Sequence, residues 1–123
     1  MPNFPVVDTH VHLWDPARLS YAWLAGEPAL NRPQLIDDYR RACGSVPVAQ
    51  LVFVQCECDP AQSEQEVAWV SEVAARDPRI RGIVAQPPQT TAAWWGTAAA
   101  AVAEGLGPER PDFLIAGPHA ALA

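Results

Sequence analysis

Apolar and polar positions along the chain follow two periods, and their order predicts the fold. Pro5-Val6-Val7 is a short β-branched run leading into Asp8-Thr9-His10-Val11-His12 and a Trp14-Asp15-Pro16 turn, which predicts a strand over residues 5–12. Leu35, Ile36, Tyr39 and Ala42 recur at helical spacing between Pro33 and Gly44. That predicts a helix over 33–43, with proline in its first turn and glycine just past its end. Val48 to Cys56 is a nearly unbroken apolar run, as in a strand covered on both faces of a parallel sheet.

Asp59-Pro60 then reads as helix cap and first residue, with Gln62 at the reciprocal capping position. Val67, Val70, Val73 and Ala74 share one helical face up to Asp77-Pro78, so a second helix is expected over 60–76. Residues 79–85 read as a third short strand. The order β-α-β-α-β fits right-handed parallel crossovers. It opens either a doubly wound sheet or a (β/α)8 barrel, and periodicity does not separate the two.

After Ala85 the character changes. Residues 86–123 hold 11 alanines and 5 prolines but only 4 charged residues. A weakly patterned helix over 98–104 and a short strand at Phe113-Leu114-Ile115 are the elements expected there. We divide the chain at this point, into residues 1–85 and a divergent stretch over 86–123. Such a shift is expected of a truncated or frame-shifted reading, or of a piece of a larger gene.

Composition narrows the partners. Half of the 123 residues are apolar and 18% are charged, with a net charge of −6. Every basic residue is Arg, and none are clustered, so neither nucleic acid nor an anionic membrane is the expected partner. No run approaches the roughly 20 apolar residues of a membrane span. The first residues carry no basic stretch ahead of an apolar one, so no secretory signal is read. Cys43, Cys56 and Cys58 are an odd, sparse set, and free thiols in a reducing cytoplasm are expected.

The candidate chemistry lies at the end of the first strand. Side chains alternate on a strand, so Asp8, His10 and His12 are expected on one face. Two imidazoles two positions apart can converge on one cation, and neutral imidazole suits zinc and similar metals. The C-terminal end of a parallel strand is also where α/β folds place their sites. The alternative is a pair of structural histidines. By the same alternation Val52, Val54 and Cys56 are expected to face the helices, and Phe53, Gln55 and Glu57 the interior. Glu57 would then reach the mouth beside the histidines, or stand as an exposed strand-end carboxylate. Asp8 would orient a histidine or hydrogen-bond backbone. Trp14, Tyr21 and Trp23 would wall a substrate pocket or cap an apolar core. A thiolate metal site at Cys56-x-Cys58 lacks ligands. There is no phosphate-cradling glycine loop and no serine elbow.

Val7-Asp8-Thr9-His10-Val11-His12-Leu13-Trp14-Asp15-Pro16 resembles the first-strand signature of the amidohydrolase superfamily. The likeness is greatest to the amidohydrolase-related group of sugar-lactone hydrolases and aromatic-acid decarboxylases, and within it to the lactonase-like branch. It continues through Tyr21-Ala22-Trp23-Leu24, Val52-Phe53-Val54-Gln55, Asp59 to Glu66 and Arg79 to Ala85, covering about residues 4–85. The resemblance implies a partial (β/α)8 barrel, its first three βα units, with the site at the C-terminal mouth. It implies that His10 and His12 hold a divalent metal, most simply zinc, or, as in metal-free members, the substrate. Beside them, from the residues themselves, Trp14, Gln55 and Glu57 are candidates around a small-molecule substrate, Glu57 also as a weak catalytic candidate, with Asp8 behind the histidines. The reaction implied is metal-assisted opening of a lactone or other cyclic ester or amide, or in other members a decarboxylation. A full barrel needs about 250 residues. The family's later histidines and its terminal catalytic Asp have no counterpart past Ala85. His119 reads as a tail residue, and Asp112 as a poor stand-in for that Asp. Little or no turnover is therefore expected of these residues alone. The other reading is a non-catalytic remnant or interaction module, self-associating through unpaired strand edges. A further reading is a small complete doubly wound domain with a fourth strand from the tail.

Overall fold

The computed structural model describes residues 3–86 and, as backbone, 113–116. Strand β1 spans Val6–Val11, helix α1 Ile36–Cys43, strand β2 Val48–Val54, helix α2 Ser63–Arg76, strand β3 Ile80–Ala85 and strand β4 Phe113–Ala116. The four strands pair in parallel, in the order β1-β2-β3-β4. Two short 3-10 helices, Ala22–Gly26 and Pro60–Gln62, are the other elements among the described residues. The helix expected over 98–104, Asp112 and His119 lie outside the described residues.

The helices start where side chains satisfy their free amides. Asp38 accepts the Leu35 N–H at 2.8 Å, so α1 begins at Ile36, not at Pro33 as the spacing suggested. Gly44 closes it at φ +57°, in the left-handed region that glycine enters without cost. Asp59 accepts the Ala61 N–H at 2.9 Å, as expected of a cap. Gln62 does not complete a reciprocal cap. Its Oε1 accepts the Ser20 N–H at 2.7 Å and ties the first loop to the start of α2.

Among the described residues, one face of the sheet is packed and the other is open. Leu51, Phe53, Ile80 and Ile83 are fully buried with Val67, Val70 and Ala74 of α2. Burying each such Leu or Phe stabilises by about 1.5–3 kcal/mol. Exposed ion pairs contribute about 0–1 kcal/mol, so the apolar layer sets the orientation of α2. Ile36 and Tyr39 of α1 pack against the same cluster, and Arg40 reaches Asp77 at the end of α2. Both helices therefore cover the same face. A doubly wound sheet needs helices on both faces and a reversal in strand order. Sequential order with one covered face is consistent with a partial barrel-like α/β unit.

The phase of β2 differs from expectation. Phe53 faces the helices, while Val52 and Val54 are half-buried on the open side. A run that is apolar at every position carries no alternation from which to read a phase. Asp8 also leaves its expected face. The β1–β2 register shifts between Asp8 and Val11, and Asp8 Oδ2 accepts the Tyr39 hydroxyl from α1 at 2.9 Å. One extra residue in a strand inverts the side-chain alternation that follows, so Asp8 looks to the helices and the histidines look away.

Asp77, 3% exposed, joins the second βα unit to the first. It accepts from Arg40 Nη2 at 3.0 Å, and from Arg79 Nη2 at 2.8 Å and Nε at 3.0 Å. Arg79 above all holds its carboxyl below the usual carboxylate range. The unfolded chain therefore takes up this proton first as pH falls. The stabilisation is present above the ordinary Asp pKa of about 3.9 and is lost below it, as pH falls through the folded value. Asp77→Asn should cost about 1–3 kcal/mol at pH 7, read by urea denaturation, and the deficit should shrink below pH 4. Equal stability of the two proteins at pH 7 would refute the assignment.

Candidate functional site

His10 is the last residue but one of β1 and His12 follows the strand, both on the open side of the sheet at the C-terminal ends of the strands. Val11 and Leu13, between and after them, are buried. That alternation turns both imidazoles the same way. The two Nε2 atoms are 3.1 Å apart and the rings meet edge to face, centroids 4.8 Å apart.

His12 Nδ1 lies 3.0 Å from the carbonyl oxygen of Val54 on β2. A carbonyl only accepts, so Nδ1 carries the proton and Nε2 keeps its lone pair. His10 Nε2 then donates to His12 Nε2. The donor set was tested against a divalent metal. Two nitrogens each about 2.0–2.1 Å from a tetrahedral zinc stand about 3.3–3.4 Å apart, close to the spacing found. The tautomer of His12 is the one a metal requires, and its outer partner is a backbone carbonyl. The pair fits as half of a metal site once His10 carries its proton on Nδ1, because the Nε2 hydrogen it now gives to His12 would have to leave before that nitrogen could ligate. Among the described residues no third His, Cys, Asp or Glu joins it in a metal-sized group.

The histidines border an open cleft of about 790 Å³, also lined by Trp14, Trp23, Gln55 and Glu57. Trp14 and Trp23 meet edge to face, 5.5 Å between centroids. Trp14 Nε1 donates to the Leu30 carbonyl at 3.0 Å, and Trp23 Nε1 to the Cys56 carbonyl at 2.9 Å. With both donors engaged, the rings offer the cleft mainly apolar surface. Tyr21 takes the other role considered for this loop. It is buried, its hydroxyl accepts the Asp15 N–H at 3.3 Å, and burial pushes its pKa up.

Gln55 and Glu57 reach the rim by a route that strand alternation does not describe. β2 ends at Val54, and Glu57 holds a left-handed backbone at φ +52°. Gln55 Oε1 accepts the Glu57 N–H at 2.7 Å, and Gln55 Nε2 donates to Glu57 Oε1 at 3.0 Å. The two side chains lock one another above the cleft. Asp8 is absent from its lining. Its Oδ1 accepts the His10 backbone N–H at 3.2 Å, so it steadies the chain beside the ring instead of the ring itself.

Cys56 and Cys58 are buried free thiols pushed up to about 12, mainly by burial, which leaves them protonated at neutral pH. Sequence reasoning passed over Glu66. It is completely buried, and burial pushes its pKa up to about 7. The signal was present, because position 66 lies on the helical stripe of Ser63, Val67 and Val70, where a carboxylate is out of place.

No family model matches the chain. An amidohydrolase 2 from Bifidobacterium longum subsp. infantis superposes with a TM-score of 0.58 at 25% identity, over 85% of this chain and 50% of that one. The fold is amidohydrolase-like. An uncharacterized protein of Sinorhizobium fredii, y4mH, is 28% identical over 93 residues, which cover 68% of this chain and 31% of that protein. The chain thus spans half the length of the amidohydrolase 2 structure and about a third of its curated relative.

The imidazole arrangement makes a direct prediction. Long-range ¹H–¹⁵N spectra should show His12 as the Nδ1–H tautomer with a bare Nε2, and His10 as its donor. A protonated Nε2 on neutral His12 would contradict the Val54 contact.

Proposed function

We propose that the chain carries the metal- and substrate-binding first part of a hydrolase site of the amidohydrolase-related type, acting on a lactone or other cyclic ester or amide. The observation behind this reading is the convergence of two imidazole Nε2 atoms at the C-terminal mouth of parallel strands, in a fold resembling an amidohydrolase 2. His10 and His12 would hold a divalent cation, most simply zinc. When bound, such an ion polarises a carbonyl and lowers the pKa of a water.

The chain's own residues set what surrounds that chemistry. Trp14 and Trp23 give an apolar wall for a ring-shaped substrate. Gln55 and Glu57 offer amide and carboxylate groups for its hydroxyls. No described group stands as the general base. That supports an inactive state for these residues by themselves, with turnover depending on groups that the (β/α)8 architecture would supply from later strands. The three free thiols fit a reducing cytoplasm. Among the described residues, no helix is long and apolar enough to cross a membrane.

Zinc titration of the full chain against a chromophoric chelator tests the metal ligands. Wild type should bind one equivalent. His10→Ala or His12→Ala should each weaken binding by at least the roughly 10–100-fold that loss of an outer-shell partner brings. Unchanged zinc affinity in the double variant would remove the metal reading. A sugar lactone added to the zinc form should shift the Trp14 and Trp23 indole N–H signals, and their silence would remove the lactone reading. Lactone turnover lost on His12→Ala would overturn the proposed inactivity.

A second reading, an interaction module, is favoured by one observation. β1 is an outer strand, and Val7 and Phe4 near its start are 56% and 61% exposed. Such an edge recruits other strands. Sedimentation velocity should show self-association that Val7→Lys suppresses, whereas a wild-type monomer at all concentrations would exclude it.

A further inference from the structure

Cys56 is held by both of its backbone polar groups. Its N–H is accepted by Glu66 Oε2 at 3.3 Å, from the first turns of α2. Its carbonyl accepts the Trp23 indole N–H at 2.9 Å, from the loop that walls the cleft. On either side of this fixed residue stand Gln55 and Glu57, and Glu57 sits at φ +52°. A residue with a side chain rarely holds that conformation unless its surroundings impose it. Glu66 itself is fully buried, and among the described residues its Oε1 has no hydrogen-bond partner. A buried carboxyl with half its acceptor capacity unused is costly. An apolar residue on the same stripe would pack against the core without that cost.

We infer that Glu66 is a positioning residue, anchoring the Cys56 backbone so that the Gln55–Glu57 pair is held at the rim of the histidine cleft. This inference rests on the reading of that cleft as the site, but its geometry is measurable without metal or substrate. Burial pushes Glu66 up to about 7. The Cys56 N–H acts against that rise, and the negative charge of Glu57 adds to it. The groups around it are Tyr21 from the first loop and Cys56, Glu57 and Cys58 from the turn after β2. Tyr21, Cys56 and Cys58 are all pushed upward and stay neutral near pH 7. Glu66 is thus a neutral acid below about pH 7 and a buried anion above it. Because its folded pKa is raised, the folded chain keeps this proton after the unfolded chain has lost it. Stability therefore falls as pH rises from the ordinary Glu range through about 7.

The test uses the ¹⁵N-labelled full chain. From pH 5.5 to 8.5 the Cys56 amide and Trp23 indole N–H signals should move together with a midpoint near 7. That movement should persist in the His10→Ala, His12→Ala double variant and vanish in Glu66→Gln. Glu66→Gln keeps an acceptor, so Cys56 amide exchange should stay slow, and this variant should resist urea better than wild type at pH 8.5. Glu66→Leu removes the acceptor and should speed exchange at Cys56 and Glu57 by about tenfold or more. A Cys56 signal indifferent to pH, or a titration that survives Glu66→Gln, overturns the inference. If Glu66→Leu does not fold, the pH titration and Glu66→Gln decide the matter alone. Failure here leaves the zinc and lactone tests standing, and their failure leaves this one.

Discussion

The hydrogen bond from His12 Nδ1 to the Val54 carbonyl organises the molecule's open side. It joins the end of β1 to the end of β2, 42 residues apart in sequence. It also fixes which nitrogen of His12 is free, and thereby how His10 can approach. A pair of imidazoles without such a tether would rotate independently and present no common point. The bond exists because β1 and β2 are parallel neighbours whose C-terminal ends lie level. That pairing depends in turn on the apolar layer of Leu51, Phe53, Val67 and Val70 on the far side. Packing on one face sets the chemistry available on the other.

Much of the fold was legible because each described element has its own signal. Glycine at position 44, Asp59 ahead of Pro60, and the period of Val67, Val70 and Val73 mark boundaries that the chain obeys to within a few residues. The ring pair was legible for the same reason, since polar residues in a β-branched strand must point somewhere. Three things were not legible. The phase of β2 was hidden by a run apolar at every position. The register shift in β1, which sends Asp8 to Tyr39, is a property of two strands together and is written in neither alone. The turn that lifts Gln55 and Glu57 to the rim depends on Trp23 and Glu66, which are brought there only by the tertiary fold.

The two faces of the sheet differ in kind. Toward the helices Leu51, Phe53 and Ile83 are fully buried, and Asp77 is held between Arg40 and Arg79. Toward the cleft, Val52, Val54 and Val84 are half-covered and the polar groups are few. A surface of that kind binds by shape and apolar contact, with a few hydrogen bonds for orientation. Both tryptophans spend their indole N–H groups on backbone carbonyls, which suits them to serve as walls.

The anchoring of Cys56 through main-chain atoms has a bearing on how such a cleft diversifies. The N–H and carbonyl that Glu66 and Trp23 grip belong to any residue that stands at position 56 and keeps its amide hydrogen. The support beneath the turn is therefore blind to the side chains on either side of it. A substitution at 55 or 57 would loosen the contact between those two side chains and still leave both grips on the backbone of residue 56 in place.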